Sequence, residues 1–246
     1  MQHYFLNQPL AIDQVVAIPS LIKKHWLKVM RAVDGTKAEF VDDAQNVFIG
    51  ELINSQIEPA IKIIESKPFN AELPFSITIA CGVAKNDKAD WMVRKATEMG
   101  VDRIIFFAGD WSIAKWQPNR VNKKLERLNT IALSAAEQSH RNRVPVVEYQ
   151  AKLNTIVSAD YDQKVVAYEE SAKAGEESML HQTVNQMQPN DSMVAVFGPE
   201  GGISPREIEL LTDQQVQPVG LGPRILRTET APLYLLAAIS AFSELS

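Results

Sequence analysis

The strongest constraint on the fold is an alternation of apolar runs and helical patterns that begins near residue 75. Short apolar runs predict strands, and the segments between them carry apolar residues at helical spacing. Because parallel strands need crossover connections, this alternation indicates a mostly parallel sheet covered by helices. The predicted strands cover residues 75–83, 101–107, 144–148, 165–168, 192–197 and 216–221, and the predicted helices cover residues 87–99, 119–140, 174–187, 205–212 and 231–245.

The first 70 residues follow a different pattern. Four short runs rich in Val, Ile and Phe are separated by turn-forming residues, and one short helix with Ser20 as its expected N-cap lies between the first two. We therefore expect a small β-rich domain, a barrel, over residues 1–70, and an α/β domain over residues 71–246. The predicted strands cover residues 15–18, 37–41, 47–53 and 60–64, and the predicted helix covers residues 20–33.

Composition excludes several classes of protein. Cys81 is the single cysteine, so an intramolecular disulfide is impossible and a reducing compartment is permitted. The four histidines are scattered without metal-ligand spacing, so we expect no metal site. The longest apolar run, residues 231–242, is too short to span a membrane, and residues 1–10 do not read as a signal peptide. We expect a cytoplasmic protein without a membrane partner.

The charge is unevenly distributed along the chain. The net charge is −5, but residues 85–145 carry twelve Lys and Arg against seven Asp and Glu. Residues 146–246 carry six against fourteen. The middle third is therefore the candidate for contact with phosphates, although a solvated helix face would show the same excess of basic residues.

A glycine-bearing loop follows the strand predicted at residues 192–197. Ser204 and Pro205, a favoured N-cap and a favoured first helical residue, come directly after it. Open parallel sheets bind ligands at the carboxyl ends of their strands, and adjacent glycines let a ligand approach the backbone closely. The pattern is typical of a ligand-binding loop and equally of a tight strand-to-helix turn. The loop reads Phe197-Gly198-Pro199-Glu200-Gly201-Gly202.

A second loop, residues 221–232, also follows a predicted strand and leads into an apolar helix. It holds Arg224, Arg227 and Glu229 close together in sequence. Charges beside a buried helix are costly unless they are paired or used in function. Two interpretations stay open: Arg227 and Glu229 are functional groups, or they pair with each other or cap neighbouring elements.

A third segment lies at the end of the long helix predicted at residues 119–140. Arg141, Asn142 and Arg143 follow that helix directly. Cations stabilise a helix C-terminus through the helix dipole, which explains the two arginines without any ligand. The alternative is that these side chains recognise a phosphate group or the edge of a base.

In combination, these segments resemble the SPOUT methyltransferases, and most closely the ribosomal small subunit methyltransferase E family. Each match is weak alone, but their joint occurrence in this order is specific, and the resemblance spans nearly the whole chain. Weaker matches lie at residues 95–101 and 29–31. The strong matches are Glu137-Gln138, Arg141-Asn142-Arg143-Val144-Pro145, Gly198-Pro199-Glu200-Gly201-Gly202 and Leu221-Gly222-Pro223-Arg224-Ile225-Leu226-Arg227-Thr228-Glu229-Thr230-Ala231.

This resemblance implies an enzyme that moves a methyl group from S-adenosylmethionine to N3 of a uridine in 16S rRNA, within the small ribosomal subunit. It implies a PUA-like RNA-binding barrel for residues 1–70. It also implies a SPOUT domain with a trefoil knot, a rare exception to unknotted topology, for residues 71–246. The protein would act as a homodimer.

The resemblance and the chemistry of the reaction assign candidate residues. Cations beside O2 and O4 of the uracil ring would stabilise the charge that develops as N3 loses its proton. Glu229 could accept that proton or orient Arg227. The RNA-binding candidates are Arg31, Arg141, Asn142 and Arg143, and the catalytic candidates are Arg143, Arg227 and Glu229. The cofactor-binding candidates are Phe197, Gly198, Glu200, Gly201, Gly202, Leu221, Gly222, Ile225, Leu226, Arg227 and Thr228.

Two other functions remain open at this point. A related SPOUT enzyme could methylate a different RNA atom, such as a ribose 2′-hydroxyl. A non-catalytic RNA-binding assembly factor could keep the same fold, although the intact glycine-bearing loops favour an enzyme.

Overall fold

The computed structural model describes residues 1–54, 58–85, 88–168 and 179–245. The chain divides into two compact units. Unit 1 comprises Met1–Glu72 and Ala136–Arg143, and unit 2 comprises Leu73–Ala135 and Val144–Ser246. The segment Ala136–Arg143, which lies within the second domain expected from the sequence, is thus part of unit 1.

Unit 1 contains a five-stranded sheet in the order β1-β3-β4-β5-β2. The β1–β3 pair is parallel and the other neighbours are antiparallel. Since β1 and β2 are the two edges and do not pair with each other in the described part of unit 1, the sheet is open, whereas the sequence predicted a barrel. The strands are β1 (Gln2–Phe5), β2 (Val15–Ala17), β3 (Lys37–Val41), β4 (Val47–Asn54) and β5 (Pro59–Lys67).

A short helix packs into the core of unit 1. Helix α1 (Ser20–Lys23) continues into a π-helical segment, Lys24–Val29. The prediction of Ser20 as N-cap is wrong, because Pro19 holds that position and the cap has no side-chain hydrogen bond. Trp26 from the π-helical segment is 1% exposed and packs against Phe40 and Tyr4, which anchors the helix on the sheet.

Unit 2 contains a six-stranded sheet in the order β11-β9-β10-β6-β7-β8, with every pair parallel. This confirms the mixed α/β fold with a parallel sheet that the alternating pattern predicted. The central strands are almost wholly buried, as strands covered on both faces must be. The strands are β6 (Ser76–Gly82), β7 (Arg103–Phe107), β8 (Val146–Gln150), β9 (Gln163–Ala167), β10 (Ser192–Phe197) and β11 (Gln217–Val219).

Helices connect the strands of unit 2. The part of the predicted helix at residues 174–187 that precedes Met179, and Asp87 of the helix predicted at 87–99, lie outside the described residues. No helix in the described ranges is both long and apolar enough to cross a bilayer. The helices are α2 (Lys88–Glu98), α3 (Pro118–Gln138), α4 (Leu153–Val157), α5 (Met179–Gln186), α6 (Pro205–Asp213) and α7 (Ala231–Glu244).

The sheet order brings particular loops together at its carboxyl edge. Four parallel strands lie side by side in the order β11, β9, β10, β6. The loops that follow these strands therefore leave the same edge of the sheet at neighbouring positions. A Cβ atom at Gly82, the last residue of β6, would lie 2.5 Å from the backbone nitrogen of Pro199. Glycine at this position therefore lets the segment that follows β10 lie directly against the end of β6.

Candidate functional site

The glycine loop, residues 197–202, leaves the sheet at the carboxyl end of β10. Phe197 is 2% exposed and packs in the main hydrophobic core of unit 2, so its side chain anchors the start of the loop. Gly202 has a φ of +82°, a conformation that L side chains rarely adopt, and its missing side chain leaves open space. Gly201 instead faces protein, since an added Cβ would lie 2.8 Å from the carbonyl oxygen of Trp111.

The glycine loop is anchored at its far end by helix α6. Ser204 caps the helix, accepting from the backbone N–H of Glu207, while the Glu207 carboxylate accepts from the Ser204 N–H. This capping box confirms the N-terminus that the sequence predicted. The Ser204 hydroxyl also donates to Asp110, and the Asp110 N–H donates to Glu207, so the loop after β7 is fastened to the same helix end.

The arginine loop, residues 221–230, connects β11 to helix α7. A cavity of about 120 Å³ lies between this loop and the end of β9. Four of the predicted cofactor-binding residues line it, namely Leu221, Gly222, Ile225 and Leu226. The cavity is also lined by Ala167, Tyr168, Arg224 and Ala231. Its lining is mostly apolar with a few polar groups, which suits an aromatic base.

One lysine joins the two loops. The Nζ atom of Lys88, at the start of helix α2, lies 3.1 Å from Oε1 of Glu200 in the glycine loop. The same Nζ lies 3.1 Å from Oε2 of Glu229 in the arginine loop. Glu200 also accepts from the backbone N–H of Lys85. Lys88 therefore ties the segment after β6 to the segments after β10 and β11.

These contacts set the protonation states of the three side chains. Burial opposes ionisation of Glu200 and Glu229, but hydrogen bonds from backbone N–H groups, together with the Lys88 ammonium, outweigh burial and lower the pKa of both carboxyl groups. The charge of Arg227 adds to this effect at Glu229. Burial opposes the charge of Lys88, but its hydrogen bonds and ion pairs with Glu229 and Glu200 together outweigh burial and raise its pKa. Glu229 is thus held as a carboxylate in an ion pair with Lys88, a partner that neither interpretation of the sequence included.

The remaining candidates of the arginine loop differ in exposure. Arg227 is exposed, while its backbone carbonyl accepts from Thr230 and Ala231 at the start of helix α7. Thr228 is partly buried. The guanidinium of Arg227 is therefore available to a ligand or substrate, while its backbone is held by the helix start.

In unit 1, one buried carboxylate organises the segment 141–143. Glu72 accepts from the guanidinium groups of Arg141 and Arg143 and from the backbone N–H of Asn142 at 2.8 Å. Burial opposes ionisation of Glu72, yet these hydrogen bonds and the charge of Arg141 lower its pKa. The whole turn is therefore fixed by a side chain that the sequence pattern did not single out.

The burial of these residues bears on their predicted roles. Arg141 and Asn142 are 2% and 4% exposed, so in this structure their side chains hold unit 1 together. The prediction that they bind RNA is untested, and their burial favours a structural role. Arg143, whose side chain is 31% exposed and paired with Glu72, and the exposed Arg31 lie on the surface of unit 1.

A second polar cluster in unit 1 joins His3, Glu39 and His140. The Nδ1 atoms of the two histidines lie 2.9 and 2.6 Å from Oε2 of Glu39, and Lys67 donates to its other oxygen. Burial opposes ionisation, but these three hydrogen bonds outweigh it and lower the pKa of Glu39 to about 2. These nitrogen–oxygen distances are those of hydrogen bonds. Two atoms that both coordinate one metal ion, each about 2 Å from it, lie farther apart than this. The absence of a metal stays a prediction.

Lys88 and Glu72 are the site residues that the sequence pattern missed. Lys88 lies at the start of the helix predicted at residues 87–99, where a surface lysine needs no explanation, and Glu72 lies between the strands predicted at residues 60–64 and 75–83, outside any predicted element. The resemblance matched residues on the loops but not these partners. Only the fold shows that each of them contacts several of the predicted residues.

The sequence and the fold of this chain are both similar to those of RNA methyltransferases. A family model described as an RNA methyltransferase domain matches residues 71–240. The ribosomal RNA small subunit methyltransferase E of Bacillus subtilis is 40% identical over 257 residues, covering 100% of this chain and 98% of the relative. The same-named enzyme of Neisseria gonorrhoeae, solved bound to S-adenosyl methionine, is 28% identical with a TM-score of 0.83, covering 98% of this chain and 97% of that one. A crystal structure of a hypothetical protein is 36% identical with a TM-score of 0.88, covering 99% of both chains.

Proposed function

This chain belongs to the RNA methyltransferase family, and within it to the ribosomal RNA small subunit methyltransferase E family, and we propose that it methylates N3 of a uridine in 16S rRNA. The methyl donor is S-adenosylmethionine, the ligand of the Neisseria gonorrhoeae relative. The observation that carries the proposal is the pair of loops after β10 and β11, which Lys88 joins beside a mostly apolar cavity.

The residues of unit 2 fit such a cofactor. The open space at Gly202 admits a ligand close to the backbone, and the cavity lined by Leu221, Ile225 and Leu226 suits an adenine ring. We assign the glycine loop to the remaining part of the cofactor. When bound, the cofactor supplies an electrophilic methyl group on its sulfonium, so the protein has to position the acceptor and favour its reactive form.

We propose that Arg227 and Arg143 favour that form. Uridine N3 is a poor nucleophile until its proton leaves, and negative charge then spreads to O2 and O4. A guanidinium stays protonated and can stabilise that charge by hydrogen bonding, but it is a poor base. Glu229 is already engaged with Lys88, so its proposed role is to hold the arginine loop and not to remove the proton.

Unit 1 is the proposed RNA-binding unit, PUA-like in kind although its sheet is open. The exposed Arg31 and the partly exposed Arg143 supply cations for phosphate contacts. The proposed partner is 16S rRNA within the small ribosomal subunit, and on that basis we propose a cytoplasmic location.

Two further features of the family are proposed for unit 2. A trefoil knot is proposed from the resemblance of residues 198–202 and 221–231 to the SPOUT methyltransferases, and the packing of helix α7 on α2, α5 and β10 is compatible with it. A homodimer is supported by exposed apolar side chains, among them Tyr234 on α7, Ile225 and Leu245.

The proposal is tested by incubating the purified protein with labelled S-adenosylmethionine and small ribosomal subunits that lack the modification. Nucleoside analysis of the 16S rRNA should then show N3-methyluridine. Label in a different nucleoside, such as a 2′-O-methylated one, would assign the enzyme to another RNA atom. No transfer to subunits or to naked 16S rRNA, despite cofactor binding, would support a non-catalytic assembly factor instead.

A further inference from the structure

Unit 1 has a groove that the proposed methyl transfer does not use. It lies between the turn joining β3 to β4 and the segment that follows β5, and its volume is about 490 Å³. The residues that matter to its chemistry are Gln45, Asn46, Lys67, Phe69, Asn70 and Asn142. This volume accommodates a nucleobase together with its ribose.

Asn142 fixes the two walls of the groove. Its Nδ2 atom donates to the carbonyl oxygen of Gln45 at 3.0 Å and to that of Phe69 at 2.8 Å. Its Oδ1 atom accepts from the backbone N–H of Ala71 at 2.8 Å. Since Asn142 is 4% exposed, both walls are held by one buried side chain, and the groove exists before any ligand arrives.

An aromatic ring with a cation beside it lies in the groove. Phe69 is 41% exposed, so part of its ring is accessible to a ligand in the groove. The Nζ atom of Lys67 lies 4.8 Å from the centre of its ring and also donates to the buried carboxylate of Glu39. Exposed aromatic rings are the platforms on which proteins stack the unpaired bases of single-stranded RNA.

The polar groups of the groove suit a base better than a phosphate. Among the described residues that line it, Lys67 is the only cation, and Glu39 already balances its charge. Asn46 and Asn70 are exposed. Asn46 donates one N–H to Asp42, and Asn70 accepts from the backbone N–H of Glu72. A carboxamide with one such bond still has a donor and an acceptor for a ligand. Such groups match the edges of a base, which present donors and acceptors side by side.

We propose that this groove binds one unstacked base of the ribosomal RNA, with Phe69 as the stacking platform. The inference rests on the proposed function, because that function makes ribosomal RNA the partner of this chain. Asn142 is then a positioning residue that builds the groove, which explains why a residue in a predicted RNA-binding segment is buried.

The test compares binding of small ribosomal subunits by wild-type protein and by Phe69→Ala, Phe69→Leu and Phe69→Trp. We expect the alanine and leucine variants to bind about fivefold to 100-fold more weakly, since neither can stack, while the tryptophan variant keeps the affinity. Ile12→Ala is the matched control, because Ile12 is an apolar residue of unit 1 that is 56% exposed. Leucine and alanine variants that bind as tightly as wild type would overturn the proposal.

Two further readouts separate this proposal from the proposed function. If wild-type protein transfers no methyl group to RNA, the proposed function fails whatever the groove binds. If wild type is active and its cofactor affinity matches that of the Phe69 variants, any loss of subunit binding belongs to the groove. A photoreactive phenylalanine analogue at position 69 should crosslink to 16S rRNA, and a crosslink to a ribosomal protein alone would contradict the inference.

Discussion

The ammonium group of Lys88 lies 3.1 Å from the carboxylate of Glu229, and this contact joins the start of helix α2 to the loop before helix α7. The same ammonium lies 3.1 Å from Glu200, so two loops that leave different strands share one cation. The arrangement holds both loops in place before a cofactor binds, which lowers the ordering cost that binding would otherwise carry.

Replacing Lys88 should therefore weaken cofactor binding. Lys88→Met leaves Glu200 and Glu229 facing each other without their cation, and we expect a Kd for S-adenosylmethionine about threefold to tenfold higher, or about 1 kcal/mol. Calorimetric titration measures this change. Lys95→Met, which removes an ion pair with Glu98 on the same helix, is the control. Equal affinities for Lys88→Met and wild type would show that the contact does not organise the loops.

Arg227→Ala and Arg143→Ala should reduce methylation far more than stability. Arg227 is exposed and Arg143 is partly exposed. Glu72 keeps Arg141 as its partner when the guanidinium of Arg143 is removed, so we expect only a small loss of stability. We expect kcat/KM for small subunits to fall about 100-fold, while the midpoint of thermal unfolding shifts little. Arg206→Ala, an exposed arginine of helix α6, is the control. Wild-type turnover in both purified variants would remove these residues from the mechanism.

Gly201 should tolerate no side chain, because of packing within the protein. An added Cβ would lie 2.8 Å from the carbonyl oxygen of Trp111, so the glycine loop would have to move. We expect Gly201→Ala to lower the free energy of unfolding by about 1 to 3 kcal/mol and to raise the Kd for the cofactor at least tenfold. Gly35→Ala, with a φ of +80° in unit 1, should lower stability without changing that Kd. A folded Gly201→Ala with wild-type affinity would contradict this assignment.

Glu137 should make the protein less stable as the pH rises. Burial raises the pKa of its carboxyl group from its ordinary 4.5 to about 7. The folded state therefore holds this proton over a range where the unfolded chain has lost it, and stability falls between pH 4.5 and about 7. Glu137→Gln should abolish that part of the pH dependence and be about 1 to 3 kcal/mol more stable than wild type at pH 8.

Urea unfolding at several pH values measures this effect. Glu126→Gln, an exposed glutamate on the same helix, is the control and should follow the wild-type pH dependence. A Glu137→Gln variant whose stability changes with pH as the wild type's does would show that this carboxyl group titrates normally.

Much of unit 2 could be predicted from the sequence because its central strands, β6 and β10, are apolar runs that are almost wholly buried. Strand β1 was missed, since it is four residues long and contains a buried histidine, His3, whose ring nitrogens hydrogen-bond Glu39 and the carbonyl oxygen of Arg141. Helix α4 was also missed, because five residues are too few to show a helical period. The sequence pattern of single strands does not show which strands pair, so it could not show that β1 and β2 are the edges of an open sheet.

The candidate site could likewise be predicted only in part from the sequence. Glycines, an N-cap serine and clustered arginines mark the two loops in the sequence itself. Lys88 and Glu72 carry no such mark, because each acts on residues far away along the chain. Their roles depend on which strands become neighbours, and sheet order is a property of the whole fold.

The most direct measurement is a crystal structure of the protein grown with S-adenosylmethionine. We expect the adenine ring in the cavity lined by Leu221, Ile225 and Leu226, with the rest of the cofactor along the glycine loop. Its methyl group should face a space that a pyrimidine can enter. A structure in which both loops are closed by their own side chains, with the cofactor bound elsewhere or not at all, would contradict the account.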